Sequence, residues 1–338
     1  MKLMGIGDAL DDVTARVGAD FLLRFGHDRN GRVGASAEEQ AAILAEVGAS
    51  ACDVVRTHGG ATANALRLLN ALGMNCAFLG GVGDDPEGDA WRADFTASGG
   101  DASRFKIRRG APTGTCLCLV SPDAQRTFLT CPGAAALTPD DIREEDFDGV
   151  DFLYSEGYLL LNPGVAERVL SIVKERGIRV AMDLGAFQCV RSHKPLLRKF
   201  LTECVELVFA NEEEAAAFAD PDSETPESGL FALADLCETA VVTRGAKGAM
   251  IRSGARSFCV SAPRVNAVDA NGAGDVWHGA YLYGYLRGCD PGVCGRFGSL
   301  AAAEVVQVPG TSVPPERIAA LKERFDALER MNATRKSQ

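Results

Sequence analysis

The stretch DANGAGD at residues 269–275, followed by VWHGAYLYGYLRG, is the most informative part of this 338-residue chain. Trp277, Tyr281 and Tyr285 recur every four residues and predict a helix that begins between residues 272 and 275. The preceding segment, SAPRVNAVDA, has the composition of a loop. A small-residue loop that enters a helix presents unpaired backbone N–H groups at the positive end of the helix dipole, which suits an anion.

The glycines and the aspartate of this stretch suit phosphoryl transfer. Gly272 and Gly274, on either side of Ala273, allow a phosphate to approach the backbone closely. Asp275 falls in the first turn of the predicted helix, where it can accept a proton from a hydroxyl that attacks the phosphate. An ordinary glycine turn with Asp275 as a helix cap fits the same letters, and the stretch alone does not separate the two interpretations.

Apolar strands and amphipathic helices alternate along the rest of the chain. The segment ANALRLLNAL predicts a helix over residues 63–72 that ends at Gly73, and a second helix is predicted from Pro163 to the residue before Gly177. This alternation predicts an α/β fold with a mainly parallel central sheet that helices cover on both faces. The apolar runs that predict strands are residues 76–79, 152–154, 180–182, 207–209 and 241–242.

Two regions, at about 13–58 and 106–131, break this alternation. Both are polar and rich in β-forming residues, and GTCLCLVSPDAQRTFLT in the second predicts a hairpin with its turn at residues 122–123. We expect the two regions to pair into a small extra sheet beside one main domain, residues 1–330. Residues 331–338 are polar and predict a frayed tail.

Composition excludes several classes of protein. The net charge is -11 with scattered acidic residues, so neither nucleic acid nor an anionic membrane is expected as a partner, because both reward clustered Lys and Arg. The first residues, MKLMGIGDALDD, lack the apolar run of a signal peptide, and no window predicts a membrane span; we therefore expect a cytoplasmic location. The 11 cysteines, mostly in apolar runs, predict free buried thiols rather than disulfides or a zinc site.

DANGAGD resembles the second hallmark motif of the PfkB/ribokinase family of carbohydrate and nucleoside kinases, usually D-T-x-G-A-G-D. The family's first hallmark, a Gly-Gly pair near an Asn and then a G-x-x-G-D stretch, is similar to GGATAN at residues 59–64 and GGVGDD at residues 80–85. The motifs occur in the family's order, and the resemblance covers nearly the whole chain. It implies a ribokinase-like three-layer sandwich in which the small β-sheet is a lid that covers the acceptor and excludes water.

The resemblance also implies an ATP-dependent kinase of the EC 2.7.1 type, with an alcohol group as acceptor. Asp275 would be the catalytic base, and Gly272, Ala273 and Gly274 would hold the transferred phosphate. Glu214 would order Mg²⁺ through water, and the family often holds K⁺ near the loop that contains Asp269. The resemblance assigns the remaining residues to the two substrates: Asp12, Gly59, Gly60, Asn64 and Phe187 to the acceptor, and Asn211, Thr243, Gly245, Gly248, Asn271, Gly272 and Gly274 to ATP.

Several of these positions also fit purely structural roles. Residues 211–214, NEEE, fit a solvated helix start in which Asn is the N-cap and three acids face water. Residues 243–248, TRGAKG, fit a tight connection before the strand AMIRS. Asp12 fits a strand-end aspartate that binds local backbone N–H groups, and Phe187 fits a core side chain.

The N-terminal segment GIGDALDDVTARVGADFL most resembles the adenosine kinase-like branch, which implies that Asp12 accepts hydrogen bonds from a ribose diol. The chain departs from that pattern at Asp8 and Asp11, so three acids are expected near the sugar pocket. At position 270, Ala replaces the usual Thr, which removes one hydroxyl beside the phosphate loop. No Lys or Arg that would meet an acceptor phosphate can be identified from the sequence.

The expected partners are ATP and a small-molecule sugar or nucleoside, bound by a monomer or a homodimer. A sugar kinase of the ribokinase or fructokinase type remains an alternative, and so does a catalytically silent nucleoside- or sugar-binding regulator on the same fold. A nucleotide-linked dehydrogenase is disfavoured because GIGDAL has Leu10 where the GxGxxG turn needs a glycine.

Overall fold

Strands and helices alternate in this computed structural model, which describes residues 1–18, 21, 31–49, 54–121 and 126–336. The strands are β1 (Leu3–Ile6), β2 (Leu10–Arg16), β3 (Gly31–Gly34), β4 (Val54–Gly59), β5 (Ala77–Leu79), β6 (Gly81–Gly83), β7 (Lys106–Arg108), β8 (Gly114–Val120), β9 (Arg126–Cys131), β10 (Phe152–Glu156), β11 (Arg179–Asp183), β12 (Val205–Asn211), β13 (Thr239–Thr243), β14 (Ala249–Ser253) and β15 (Arg256–Val260). The helices are α1 (Ala37–Ala49), α2 (Ala61–Ala71), α3 (Pro86–Ala97), α4 (Pro163–Arg176), α5 (Phe187–Glu203), α6 (Glu212–Phe218), α7 (Pro226–Ala234), α8 (Ala273–Leu286), α9 (Pro291–Val305) and α10 (Pro315–Lys336).

The main sheet has eight strands in the order β15-β14-β13-β12-β11-β10-β1-β5. All neighbours are parallel except β14, which is antiparallel to β13 and β15. Successive residues of a strand point to opposite faces, so Phe152 and Tyr154 of β10 join one apolar cluster and Leu153 joins another. Helices α2, α8, α9 and α10 contribute to the first cluster and α4 to α7 to the second, which confirms the predicted three layers.

The second sheet has five strands in the order β3-β9-β8-β2-β4. The two irregular regions of the sequence supply these strands apart from the first three residues of β2, and they pair into one sheet as expected. The second region begins too early, because β7 pairs with β6 in a separate two-stranded sheet. The predicted hairpin turn at residues 122–123 lies outside the described residues.

The predicted element boundaries agree closely with the structure. The predicted strand cores lie within β5, β10, β11, β12 and β13, apart from Cys76, which precedes β5. Helix α4 begins at Pro163 and ends before Gly177, as predicted. Helix α10 continues to Lys336 through part of the predicted frayed tail, where no Gly or Pro interrupts the sequence.

The described part of the chain bears on two further expectations. Its ten cysteines are all free thiols. Within it, no helix has both the length and the apolar composition needed to cross a bilayer.

Candidate active site

A cleft of about 1190 Å³ lies where the carboxyl ends of the main-sheet strands meet one face of the second sheet. Parallel strands end at the same edge, so Asp183 at the end of β11 and Asn211 at the end of β12 both reach the cleft. The sequence-predicted site residues that line it are Asp12, Gly60, Asn64, Phe187, Asn211, Glu214, Asn271, Gly272 and Asp275.

Asp275 lies in the first turn of α8, which begins at Ala273 as the sequence predicts. Gly272 occupies the N-cap position in the left-handed conformation, with φ 67°. A Cβ on Gly272 would lie 2.7 Å from the side chain of Thr311, so this turn requires a glycine. The cap is therefore Gly272 rather than Asp275, and the Asp275 carboxylate reaches the cleft beside the first amides of the helix.

The Asp275 carboxylate is held by a residue from the other hallmark motif. Asn64, on α2, donates a hydrogen bond from Nδ2 to Asp275 Oδ2 over 2.8 Å. The Asn64 Oδ1 atom accepts from Arg67 Nη1 at 3.1 Å and from Thr311 Oγ1 at 3.2 Å. Because both donors meet the oxygen of the amide, its nitrogen is directed at Asp275.

Arg67 is fixed in turn by its surroundings. Its Nε donates to Asp94 at 2.9 Å, and its guanidinium lies 4.6 Å from the centre of the Trp91 ring. Burial lowers the pKa of Arg67, while the charge of Asp94 opposes that shift. Arg67 was not predicted from the sequence as a site residue, although it lies one helical turn after Asn64.

Two glycines shape the acceptor side of the cleft. Gly59 ends β4 beside β2, and a Cβ on it would lie 2.1 Å from Asp12 Oδ2. Gly60 has φ 100°, and a Cβ there would lie 2.1 Å from the carbonyl oxygen of Asp8. Both positions therefore need a glycine, one to leave room for Asp12 and the other for its backbone conformation. Gly59 contacts Asp12 but does not itself line the cleft.

Of the three acids expected near the sugar pocket, one lines the cleft and two do not. Asp11 points to the opposite face of β2 from Asp12, because alternate strand residues face opposite sides, and its Oδ1 lies 3.0 Å from His58 Nδ1. Asp8 donates its backbone N–H to Glu156 Oε1 over 3.3 Å and does not line the cleft. Asp12 alone of the three lines it.

Asn211 and Glu214 cap the start of α6 reciprocally. Asn211 Oδ1 accepts from the Glu214 N–H at 2.9 Å, and Glu214 Oε2 accepts from the Asn211 N–H at 2.8 Å. The N-cap interpretation of Asn211 is thus correct, but the expectation that all three acids face water is wrong, since Glu214 is only 4% exposed. Burial raises the pKa of Glu214 well above its usual value, and the charge of Asp183 raises it further.

The remaining predicted residues lie outside the lining of the cleft. Residues 244–248 connect β13, which ends at Thr243, to antiparallel β14, so TRGAKG forms the tight connection that the sequence also allowed. Thr243 pairs with Asn211 in register, but neither it nor Gly245 and Gly248 lines the cleft. The same holds for Ala273 and Gly274, within α8.

Asp269 joins two loops at the rim of the cleft. Its Oδ1 accepts from the Asn271 N–H at 3.0 Å, and its Oδ2 accepts from the Gly310 N–H at 3.1 Å. The segments 267–272 and 309–311, which both line the cleft, are therefore held together.

A buried polar cluster lies under the cleft, and no sequence motif predicted it. Burial raises the pKa of Asp183 to about 7 and lowers that of His278 to about 4. His278 Nδ1 lies 3.8 Å from Asp183 Oδ2 and 3.3 Å from the Tyr154 hydroxyl. Asp183 could have been found, because it ends an apolar strand just as Asn211 does. Titratable groups shifted by burial beside a cleft are typical of functional sites.

The chain is similar over most of its length to known sugar and adenosine kinases. Adenosine kinase 2 of Arabidopsis thaliana is 26% identical over 92% of this chain and 95% of its own length. An uncharacterized sugar kinase of Archaeoglobus fulgidus is 27% identical over 72% of this chain and 95% of its own. The crystal structure of adenosine kinase from Sinorhizobium meliloti superposes with a TM-score of 0.84 at 28% identity, covering 96% of this chain and 98% of that one.

The fold and the cleft define a ribokinase-like kinase of sugars or nucleosides. The family model for pfkB family carbohydrate kinases matches residues 35–318, and the chain belongs to that family. Kinases of this family phosphorylate sugars or nucleosides with ATP.

Proposed function

We propose that this protein transfers the γ-phosphate of ATP to the hydroxymethyl group of a nucleoside, with an acceptor of the kind that adenosine kinases use. The observation that carries the proposal is the shared cleft of Asp275 and Asp12. Asp275 is at the helix start that suits a phosphate, and Asp12 is on the second sheet, where a ribose diol can bind. A sugar with a hydroxymethyl group fits the same two residues and is the alternative.

Asp275 is the central residue of the proposed reaction. The carboxylate accepts the proton of the acceptor hydroxyl, whose oxygen attacks the γ-phosphorus as the bond to the ADP oxygen breaks. The backbone amides at residues 272–274 stabilise the negative charge on the transferred group. Asn64 holds the carboxylate through its 2.8 Å hydrogen bond. The second sheet covers the acceptor and excludes water, which limits the hydrolysis of ATP.

The residues of the cleft fit a Mg²⁺ ion that reaches the protein through ATP and water. Among the described residues, no group of three or more His, Cys, Asp or Glu side chains is arranged to bind a metal ion directly. Mg²⁺ typically keeps several waters and uses one or two carboxylates together with substrate phosphates. We propose that Glu214, with the neighbouring Asp183 carboxylate, would hold the water molecules bound to the Mg²⁺ ion. When bound, the ion would neutralise charge on the ATP oxygens.

A K⁺ ion near Asp269 would stabilise the two loops that this residue joins. We propose stimulation by K⁺ on that ground. A titration with KCl, compared with choline chloride at the same ionic strength, tests this proposal. Equal rates in both salts would show that K⁺ does not stimulate the reaction.

The experiment that tests the function is an assay coupling ADP formation to the acceptor, run with adenosine, inosine, cytidine, ribose, fructose and sugar phosphates. The proposal predicts acceptor-dependent ADP formation with at least one nucleoside. Tight binding of nucleosides without ADP formation would instead support a catalytically silent regulator. Activity with free sugars alone would support the sugar kinase alternative.

A further inference from the structure

The face of the second sheet that lines the cleft has an ordered arrangement of side chains. Asp12, Thr14 and Arg16 alternate along β2 toward the cleft, while Val13 and Ala15 are buried on the other face. They define three rows, in which Asp12 is nearest to Gly59 and Arg16 is farthest from it. An acceptor that rests on this face meets the rows in that order.

The middle row is largely apolar. Cys118 of β8 and Val55 of β4 flank Thr14 in register, and all three line the cleft. Phe128 pairs with Cys118 from β9, and Phe187 lines the cleft from the main domain. Apolar and aromatic side chains contributed by both the second sheet and the main sheet with its helices suit a flat heteroaromatic ring.

The last row carries a positive charge. Among the described residues that line the cleft, Arg16 is the one cation, and the other charged side chains there are carboxylates. Arg16 is exposed, so its guanidinium is available to a bound molecule. A guanidinium presents donors in a fixed fork and accepts nothing, so it selects a group with two neighbouring acceptors.

The spacing of the rows distinguishes between two kinds of acceptor. Arg16 is four positions along the strand from Asp12, or about 13 Å at ~3.3 Å per residue. The phosphate of a ribose phosphate is attached directly to the sugar, so it remains near the first row when the diol rests on Asp12. A base on the same ribose extends across the apolar middle row and brings its far edge toward Arg16.

We propose that Arg16 recognises the edge of a purine base and that the preferred acceptor is a 6-oxopurine nucleoside, such as inosine or guanosine. The O6 and N7 atoms of such a base both accept, which matches the donor pair of an arginine. Adenine has an acceptor at N7 but an amino group, which donates, at N6. One N–H of the arginine would therefore face another donor instead of an acceptor. This inference rests on the proposed function: it keeps a nucleoside as the acceptor but makes a 6-oxopurine, rather than adenine, the preferred base.

The test is the ratio of kcat/KM for inosine to kcat/KM for adenosine. The wild-type protein favours inosine, and Arg16→Ala lowers the ratio by roughly tenfold or more, the usual value of a bidentate base contact. Arg16→Gln lowers it further, because a glutamine side chain pairs with N6 and N7 of adenine. Arg56→Gln is the matched control: Arg56 is exposed on β4, opposite Val13 in register and so on the other face, and leaves the ratio unchanged.

Three results would overturn the inference. One is a wild-type preference for adenosine. Another is a ratio that stays within twofold in both Arg16 variants, including the case in which the KM for ATP rises, which would place Arg16 on the nucleotide. The third is activity with free sugars or sugar phosphates but with no nucleoside, which would defeat the proposed nucleoside kinase together with the inference, whereas the first two results defeat the inference alone. If no acceptor yields ADP, the proposed function fails as well.

Discussion

Asn64 and Asp275 stand 211 residues apart in the chain, yet the amide nitrogen of one lies 2.8 Å from a carboxylate oxygen of the other. The contact joins the two motifs on which the family resemblance depends. Helix α2 begins directly after Gly60, and α8 begins directly after Gly272, so each glycine turn places one of the two side chains in the cleft. A hydrogen bond donated to a carboxylate favours its charged form, which is the form that can accept a proton.

Replacing Asn64 by Leu removes this donor while roughly preserving side-chain volume. The Asp275 carboxylate then loses the hydrogen bond that fixes its position, so kcat/KM for the acceptor should fall by about tenfold, the value of a hydrogen bond to a charged group. The measurement is steady-state kinetics with the acceptor at saturating ATP. Thr311→Val is the control, because it removes a donor to Asn64 Oδ1 and leaves the bond to Asp275; an equal fall in both variants contradicts the account.

Gly59→Ala tests whether Asp12 binds the acceptor. The added methyl group would lie 2.1 Å from the Asp12 carboxylate, so the side chain must move. We expect the KM for the acceptor to rise about tenfold or more with little change in the KM for ATP. Gly48→Ala in α1, where nothing lies within 4 Å of the added methyl group, is the control and should leave both constants unchanged. A rise in the KM for ATP alone would remove Asp12 from the acceptor site.

Asp183→Asn should stabilise the protein in a pH-dependent manner. Burial raises the pKa of Asp183 to about 7 from 3.8, so its contribution favours the native state at low pH and is lost as the pH rises from about 4 through 7. The Tm of the variant should exceed that of the wild type by a few degrees at pH 8, and the gain should vanish near pH 4. Thermal melts at several pH values measure this.

The thermal melts of Asp183→Asn need a control variant, and a second buried group, His278, also titrates in this pH range. His278, whose pKa burial lowers to about 4 from 6.5, acts in the opposite direction between those pH values, but it is present in both proteins and largely cancels in the difference. Asp140→Asn, which removes an exposed carboxylate, should change Tm little at any pH. A gain from Asp183→Asn that is constant across the range contradicts a raised pKa.

Glu214→Gln should weaken the response to Mg²⁺. The side chain is buried and fixed by Asn211, and a group that acts on a metal through water typically changes affinity by about tenfold to a hundredfold when it is lost. We expect the Mg²⁺ concentration at half-maximal rate to rise by about that factor. Glu212→Gln is the matched control, because Glu212 pairs with Arg244 and Lys247 and does not line the cleft. Equal Mg²⁺ dependence in both variants would remove Glu214 from this role.

Sequence patterns predicted the layers of the fold because strand and helix periodicities are local. They also predicted nine of the residues that line the cleft, since a motif match transfers positions directly. The side of β2 on which Asp11 lies was not predicted, although strand alternation determines it once Asp12 is placed in the cleft. Thr243 was expected at the ATP site; it is the last residue of β13, and the rest of TRGAKG forms the connection to β14.

The residues that were missed depend on contacts between distant segments. Arg67 lies one helical turn from Asn64, but its guanidinium is held by Asp94 and Trp91 of α3. Tyr154 and His278 meet across 124 residues, and neither stands in a recognisable motif. Arg16 lines the cleft because β2 continues to the far end of the second sheet, a length that its polar composition did not indicate.

The kcat of Asp275→Asn tests the account most directly. Asparagine has nearly the same shape but cannot accept the proton of the acceptor, so kcat should fall by about 10²–10⁴-fold, the usual contribution of a general base. The affinity for ATP, measured by calorimetry, and the Tm should remain close to those of the wild type. A kcat within threefold of wild type, with ATP binding intact, would contradict the assignment of Asp275 as the catalytic base.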